Sequence, residues 1–237
     1  MKKLITTFAF IALSTVSAKA VDLGIFSVTA GLAANQGVFG ASAKETARDE
    51  ANVITTVNKE HGVFTDGYGS QFIELGLGSW VSVGYEHTPD SISTPQNVNN
   101  GNIGTTATST VSVDFNDMNT SYVKLNTPIG VYLKYGHVST DLDIKEVQQS
   151  GNQYKNQSVD GESMGIGYQT FIKDTGFGLR FEGSYLTLDN VAVDNGVAAD
   201  AGAPATGGRN QIDASELEGL SGKIALTYTF GRSGNTF

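Results

Sequence analysis

Lys223-Ile224-Ala225-Leu226-Thr227-Tyr228-Thr229-Phe230 alternates strictly, with apolar or aromatic residues at the even positions and Lys, Ala, Thr and Thr at the odd ones. A period of two marks a strand whose two faces meet different surroundings. The pattern recurs upstream. Phe177, Leu179, Phe181 and Tyr185 alternate with Gly178, Arg180, Glu182 and Ser184. Met164, Ile166 and Tyr168 alternate with Gly165, Gly167 and Gln169, and Val131, Leu133 and Tyr135 with Tyr132, Lys134 and Gly136. Val123 and Leu125 alternate with Tyr122, Lys124 and Asn126, and Val81, Val83 and Tyr85 with Ser82, Gly84 and Glu86. Ile73, Leu75 and Leu77 alternate with Phe72, Glu74 and Gly76. An eighth strand lies within Leu23 to Ala34, where glycine and alanine leave the phase open.

The connections fall into two classes. Gly78-Ser79-Trp80, Thr127-Pro128-Ile129-Gly130 and Lys173-Asp174-Thr175-Gly176 are tight. The segments at about 35–70, 88–110, 142–160 and 190–214 are long and polar. Short and long connections alternate, which places every long one at the same end. That is the signature of a transmembrane barrel. The sequence therefore predicts an all-β fold, an eight-stranded antiparallel transmembrane β-barrel with three short periplasmic turns and four long extracellular loops. Ala41 to Lys59 contains neither glycine nor proline, and a short surface helix is expected there, within residues 41–59.

Composition agrees. The 237 residues include 29 glycines and no cysteine, and carry a formal charge of −9. Without cysteine there is no disulfide framework, cysteine zinc site or thiol chemistry, and the acidic balance argues against a nucleic-acid partner. Lys2 and Lys3 precede the apolar run Leu4 to Val16, and Ala18-Lys19-Ala20 supplies a small-x-small site. Residues 1–20 read as a secretory signal peptide cleaved after Ala20, leaving 21–237 as one barrel domain. Cleavage removes Lys2, Lys3 and Lys19 and no acid, so the charge falls from −9 to −12.

Lys223-x-Ala225-x-x-Tyr228-x-Phe230 resembles the assembly signal on the last strand of small Gram-negative outer-membrane β-barrels. The whole arrangement is similar to the eight-stranded transmembrane domain of outer membrane protein A. Ala225 stands where glycine is commoner, and Gly231 to Phe237 follow the expected terminal aromatic. The resemblance implies residence in the outer membrane of a Gram-negative bacterium and insertion by the barrel assembly machinery. Tyr228 and Phe230 are its assembly mark, with Phe237 the alternative. Outer-membrane lipids and lipopolysaccharide would be its surroundings.

With the apolar phase facing lipid, the other phase sends Glu74, Glu86, Lys124, Lys134, Arg180, Glu182 and Lys223 into the lumen, three acids against four bases. An eight-stranded barrel is only wide enough for side chains, so opposed charges there are expected to pair and plug it. The expected role is structural, stabilising the envelope and presenting loops to the outside. The alternatives are a narrow or gated channel for small solutes, an adhesin or phage receptor acting through the loops, and a lipid hydrolase. The hydrolase reading rests on His137 and Ser139, which share a strand face as histidine base and hydroxyl nucleophile. No enzyme activity, metal or cofactor is expected. If Phe230 is the assembly mark, Phe230→Ala will impair membrane insertion more than deletion of 231–237, measured as the folded fraction by heat-modifiable gel mobility. The reverse order moves the mark to Phe237.

Overall fold

The computed structural model describes residues 23–48, 51, 53–100, 108–147, 154–172, 175–196 and 209–231. The signal-peptide reading at 1–20, with Ala18 and Ala20, lies outside these residues, as does Phe237. Eight strands form the ring: β1 (Phe26–Arg48), β2 (Ile54–Leu77), β3 (Val81–Thr88), β4 (Thr108–Asn126), β5 (Val131–Val147), β6 (Gln157–Phe171), β7 (Phe177–Leu188) and β8 (Asn210–Phe230). Each pairs antiparallel with the next, and β8 closes on β1 from Val28↔Phe230 to Ala47↔Asn210. Three short strands, Ile92–Ser93, Asn97–Asn100 and Val191–Asp194, pair onto β4 and β8. No helix occurs among the described residues.

The β1–β8 ladder fixes the phase of the first strand. Thr29, Gly31, Asn35 and Gly37 point inward, and their even-numbered neighbours point outward. The tight turns at 78–80 and 127–130 are as the sequence indicates, while residues 173 and 174 of the third lie outside the described residues. At the β4–β5 turn Gly130 has φ 87°, and a Cβ there would lie 2.5 Å from the Gln169 carbonyl oxygen. Only glycine suits that position.

Two expectations are corrected. The described residues of 41–59 are not helical. They form the outer part of a β1–β2 hairpin whose register runs unbroken from Phe26↔Leu77 to Ala47↔Thr56. A pattern without glycine or proline permits a strand as well as a helix, and pairing of residues 42–47 with both β2 and β8 holds the strand, whereas a short isolated helix is marginal in water. The four connections are also shorter than read. β1, β2, β4, β5 and β8 continue well past the ten or so residues needed to cross a bilayer. Polar residues outside the membrane hid these continuations, because neither face of a strand in water need be apolar.

The outward face carries Ile73, Leu75, Val83, Val123, Leu133, Ile166, Leu179, Ile224 and Leu226, all exposed. On a soluble protein such a continuous band would be an association surface. On a closed barrel it is the lipid-facing belt. Trp80 is exposed at the turn end, where the Tyr228 ring packs edge-on against Phe177 at 4.8 Å and Phe230 at 4.5 Å. At the outer rim the Tyr85 hydroxyl donates to Asn119 Oδ1 at 2.6 Å, and that of Tyr185 donates to Glu218. Aromatic residues with polar tips at both rims are the usual interfacial girdles.

Beyond the outer rim the inward phase changes character. Phe39, Ile92, Met118 and Val138 form one buried apolar cluster. Leu142, Tyr154, Val159, Val191, Val193 and Leu217 form a second. Two β-bulges accompany the change. Asn116↔Asp141 is followed by Asn119↔Ser139, with Asp117 at φ 48°. Gly40↔Glu218 is followed by Ser42↔Ser215, with Glu216 at φ 53°. An extra residue reverses which face each side chain takes. Tyr122, Thr120 and Met118 point inward below the first bulge, and Phe115 and Val113 pack inward above it. Outside the bulge Asp114 faces outward. Burial pushes its carboxyl up, but hydrogen bonds from Lys145 and Ser93 outweigh that and hold it below the ordinary carboxylate range.

Large rings lie flat across inward glycines. A Cβ on Gly31 would sit 2.2 Å from Phe72, on Gly84 2.4 Å from Tyr122, and on Gly167 2.3 Å from Tyr132. Gly183, facing lipid, has nothing within 4 Å of that point. Gly84→Ala is expected to destabilise the refolded barrel by about 1–3 kcal/mol, the usual cost of overpacking, and Gly183→Ala by under ~0.5 kcal/mol. Urea unfolding in detergent measures both.

Candidate functional site

The membrane-level lumen brings together all seven charged side chains that alternation sends inward, each at most 8% exposed. They come from β2, β3, β4, β5, β7 and β8 and sort into two groups. In the first, Arg180 holds Glu74 with two parallel bonds, Nη1 to Oε1 at 2.7 Å and Nη2 to Oε2 at 2.8 Å. Lys124 Nζ donates to Glu74 Oε2 at 2.6 Å, and the Tyr122 hydroxyl donates to Oε1 at 2.8 Å. Gln169 Oε1 accepts from Arg180 Nη2 at 2.8 Å and from Lys124 at 3.4 Å.

In the second group two lysines alternate with two glutamates. Lys223 Nζ lies 2.6 Å from Glu86 Oε1 and 3.2 Å from Glu182 Oε1. Lys134 contacts Glu182 closely and Glu86 at 3.3 Å. Hydroxyls occupy the remaining acceptor positions. Ser70 donates to Glu86 at 2.6 Å, while Tyr132 and Ser184 donate to Glu182 at 2.7 and 2.8 Å. Charged groups taken out of water are tolerated only when paired and hydrogen-bonded in this way.

Rings complete the packing. Arg180 lies over Phe72 at 4.5 Å and over Tyr132 at 5.3 Å, Lys134 over Tyr122 at 4.9 Å, and Lys124 over Tyr132 at 5.2 Å. Each contact adds a cation–π attraction, stronger where water is excluded. Reading the charges alone misses Phe72, Tyr122, Tyr132, Gln169 and Ser70. All five share the inward phase of their strands, and that phase is the signal that finds them.

His137 and Ser139 sit elsewhere, on the outer wall of β5. His137 Nε2 faces Asp160 Oδ1 at 3.6 Å with both side chains more than half exposed. No hydrogen bond joins His137 to Ser139 among the described residues. No group of three or more acidic, histidine or cysteine side chains suited to a metal ion occurs among them either.

No protein-family model and no curated protein sequence matches the chain. Solved structures do. The outer membrane protein OprG of Pseudomonas aeruginosa superposes with a TM-score of 0.50 at 10% identity, over 85% of this chain and 97% of that one. By fold, this is a small outer-membrane β-barrel. Two looser likenesses accompany it. The outer membrane protease OmpT of Escherichia coli covers 91% of this barrel and 100% of its own chain, at 9% identity and a TM-score of 0.45. The attachment invasion locus protein Ail of Yersinia pestis covers 84% and 98%, at 10% identity and a TM-score of 0.35. The β-barrel is integral to the outer membrane, with its belt in lipid and its charges in the lumen.

The bidentate Arg180–Glu74 pair is the center of the first group. Arg180→Met removes both bonds of this pair and leaves Glu74 with Lys124 and Tyr122, and about 1.5–3 kcal/mol of stability should be lost, the usual worth of hydrogen bonds to a charged group. Arg180→Met combined with Glu74→Gln should lose less than the two single variants lose together, because each single loss includes the shared pair. Urea titration of both single variants, the double variant and wild type measures the difference, and strictly additive losses would refute the pairing.

Proposed function

We propose that this barrel is a closed, non-enzymatic envelope protein. It strengthens the outer membrane and presents its outer strands and loops to the surroundings. The observation that carries this reading is the lumen itself. Seven charged side chains from six strands interlock across it, and the two apolar clusters lie in its outward continuation. An ion entering from either end meets interlocked side chains or hydrocarbon rather than an open path.

The belt and girdles suit contact with outer-membrane lipid and lipopolysaccharide, and insertion would use the barrel assembly machinery acting on Tyr228 and Phe230. Among the described residues a presented surface lies at the β1–β2 hairpin, where residues 54–63 of β2 are exposed on both faces. That hairpin is a surface on which an extracellular ligand would dock. Refolded protein, shown to be folded by heat-modifiable mobility, is expected to leave a planar bilayer electrically silent. Discrete conductance steps from folded protein would overturn the closed reading in favour of a narrow channel.

A further inference from the structure

The two lumen groups differ in net charge. Glu86 and Glu182 balance Lys134 and Lys223, whereas Glu74 alone faces Arg180 and Lys124. The amide oxygen of Gln169 accepts a bond from each of these two cations but supplies no charge. No further inward carboxylate remains at membrane level among the described residues. Glu86 and Glu182 are already occupied by two lysines each and by hydroxyl donors. One unit of positive charge is thus left where water is scarce, and an uncompensated buried charge is costly.

A donor points to where compensation enters. Arg180 is 1% exposed, and its Nε–H has no hydrogen-bond partner. The guanidinium lies over the Phe72 and Tyr132 rings and spends both terminal nitrogens on Glu74 and Gln169. The Thr227 hydroxyl, also 1% exposed, is likewise without a partner. Ala225 pairs with Arg180 across the β7–β8 ladder, and Thr227 lies two residues further along β8 on the same inward face. Two buried donors on the inward faces of neighbouring strands β7 and β8 therefore lack an acceptor, one of them on the cationic group itself.

We propose that the lumen binds one small monovalent anion, of the halide class, beside Arg180 Nε–H and the Thr227 hydroxyl, neutralising the Glu74–Arg180–Lys124 group. Flanking rings and a packed wall restrict the ligand to a monatomic or similarly compact ion. Binding is structural and exchangeable. The inference takes the closed lumen as given. Its test reads equilibrium occupancy rather than ion flow, so either idea can fail while the other stands.

The experiment compares urea unfolding of the refolded barrel in sodium chloride and sodium gluconate at equal ionic strength. It is joined by ³⁵Cl relaxation on the folded protein with bromide as competitor. Wild type should unfold at a higher urea midpoint in chloride, saturably, because a ligand bound only by the folded state stabilises it. It should also show excess ³⁵Cl relaxation that bromide removes. Lys124→Met leaves the lumen with three acids and three bases, and both effects should disappear. Thr227→Val, which keeps every charge, should weaken halide affinity several-fold without abolishing folding. Equal midpoints in the two salts with no excess relaxation would overturn the proposal, as a neutral Lys124 or a bound water would produce. A chloride effect of the same size in Lys124→Met would assign it to the surface and overturn it as well.

Discussion

A lumen without room for bulk water is the constraint on which this barrel turns. Eight strands enclose a space that side chains fill, and any charge placed there must be answered by an opposite charge within reach rather than by water. Glu74 is answered by Arg180, Lys124 and Tyr122; Glu86 and Glu182 share Lys134 and Lys223. The partners come from across the ring, so these contacts tie opposite walls together as well as neighbours. The glycines opposite Phe72, Tyr122 and Tyr132 follow from the same shortage of space. Each ring lies flat only because its neighbour on the wall has no side chain. A high glycine content is thus a packing requirement here.

The molecule has two solvents on its outside and inverts its interior to match. At membrane level lipid surrounds the wall and the polar groups are within. Past the rim water surrounds the wall, and the inner face carries Phe39, Ile92, Met118, Val138 and Leu217. On β4 and β8 the exchange of inside for outside needs a change of phase, and the Asp117 and Glu216 bulges supply it. On β5 and β7 the phase is kept and residue type alone changes, from Lys134 to Val138 and from Glu182 to Leu186.

Much of this is legible in the sequence, and the rest is hidden for identifiable reasons. Alternation at Ile224 to Phe230, Leu179 to Tyr185 and Val131 to Tyr135 shows strands because lipid lies on one face only. It also sorts Glu74, Arg180 and the other lumen charges to one side. That sorting says nothing of who pairs with whom, since the partners lie up to 137 residues apart, as with Lys223 and Glu86. The outer hairpin at 41–59 was unreadable because water on both faces erases the two-residue period. The bulges were invisible because Asp117 and Glu216 look like ordinary polar residues; only the ladder register reveals the additional residue.

The bulges divide the wall into two reading frames. Length changes in β4 or β8 are therefore not equivalent to loop trimming. Removing one residue at Asp117 would keep the strand but exchange the inner and outer faces of everything beyond it, setting Phe115 against water and Asp114 against the apolar core. A change of two residues would preserve the frame. Strand extensions of this barrel can be lengthened, shortened or grafted in even steps, with each bulge acting as the fixed splice point.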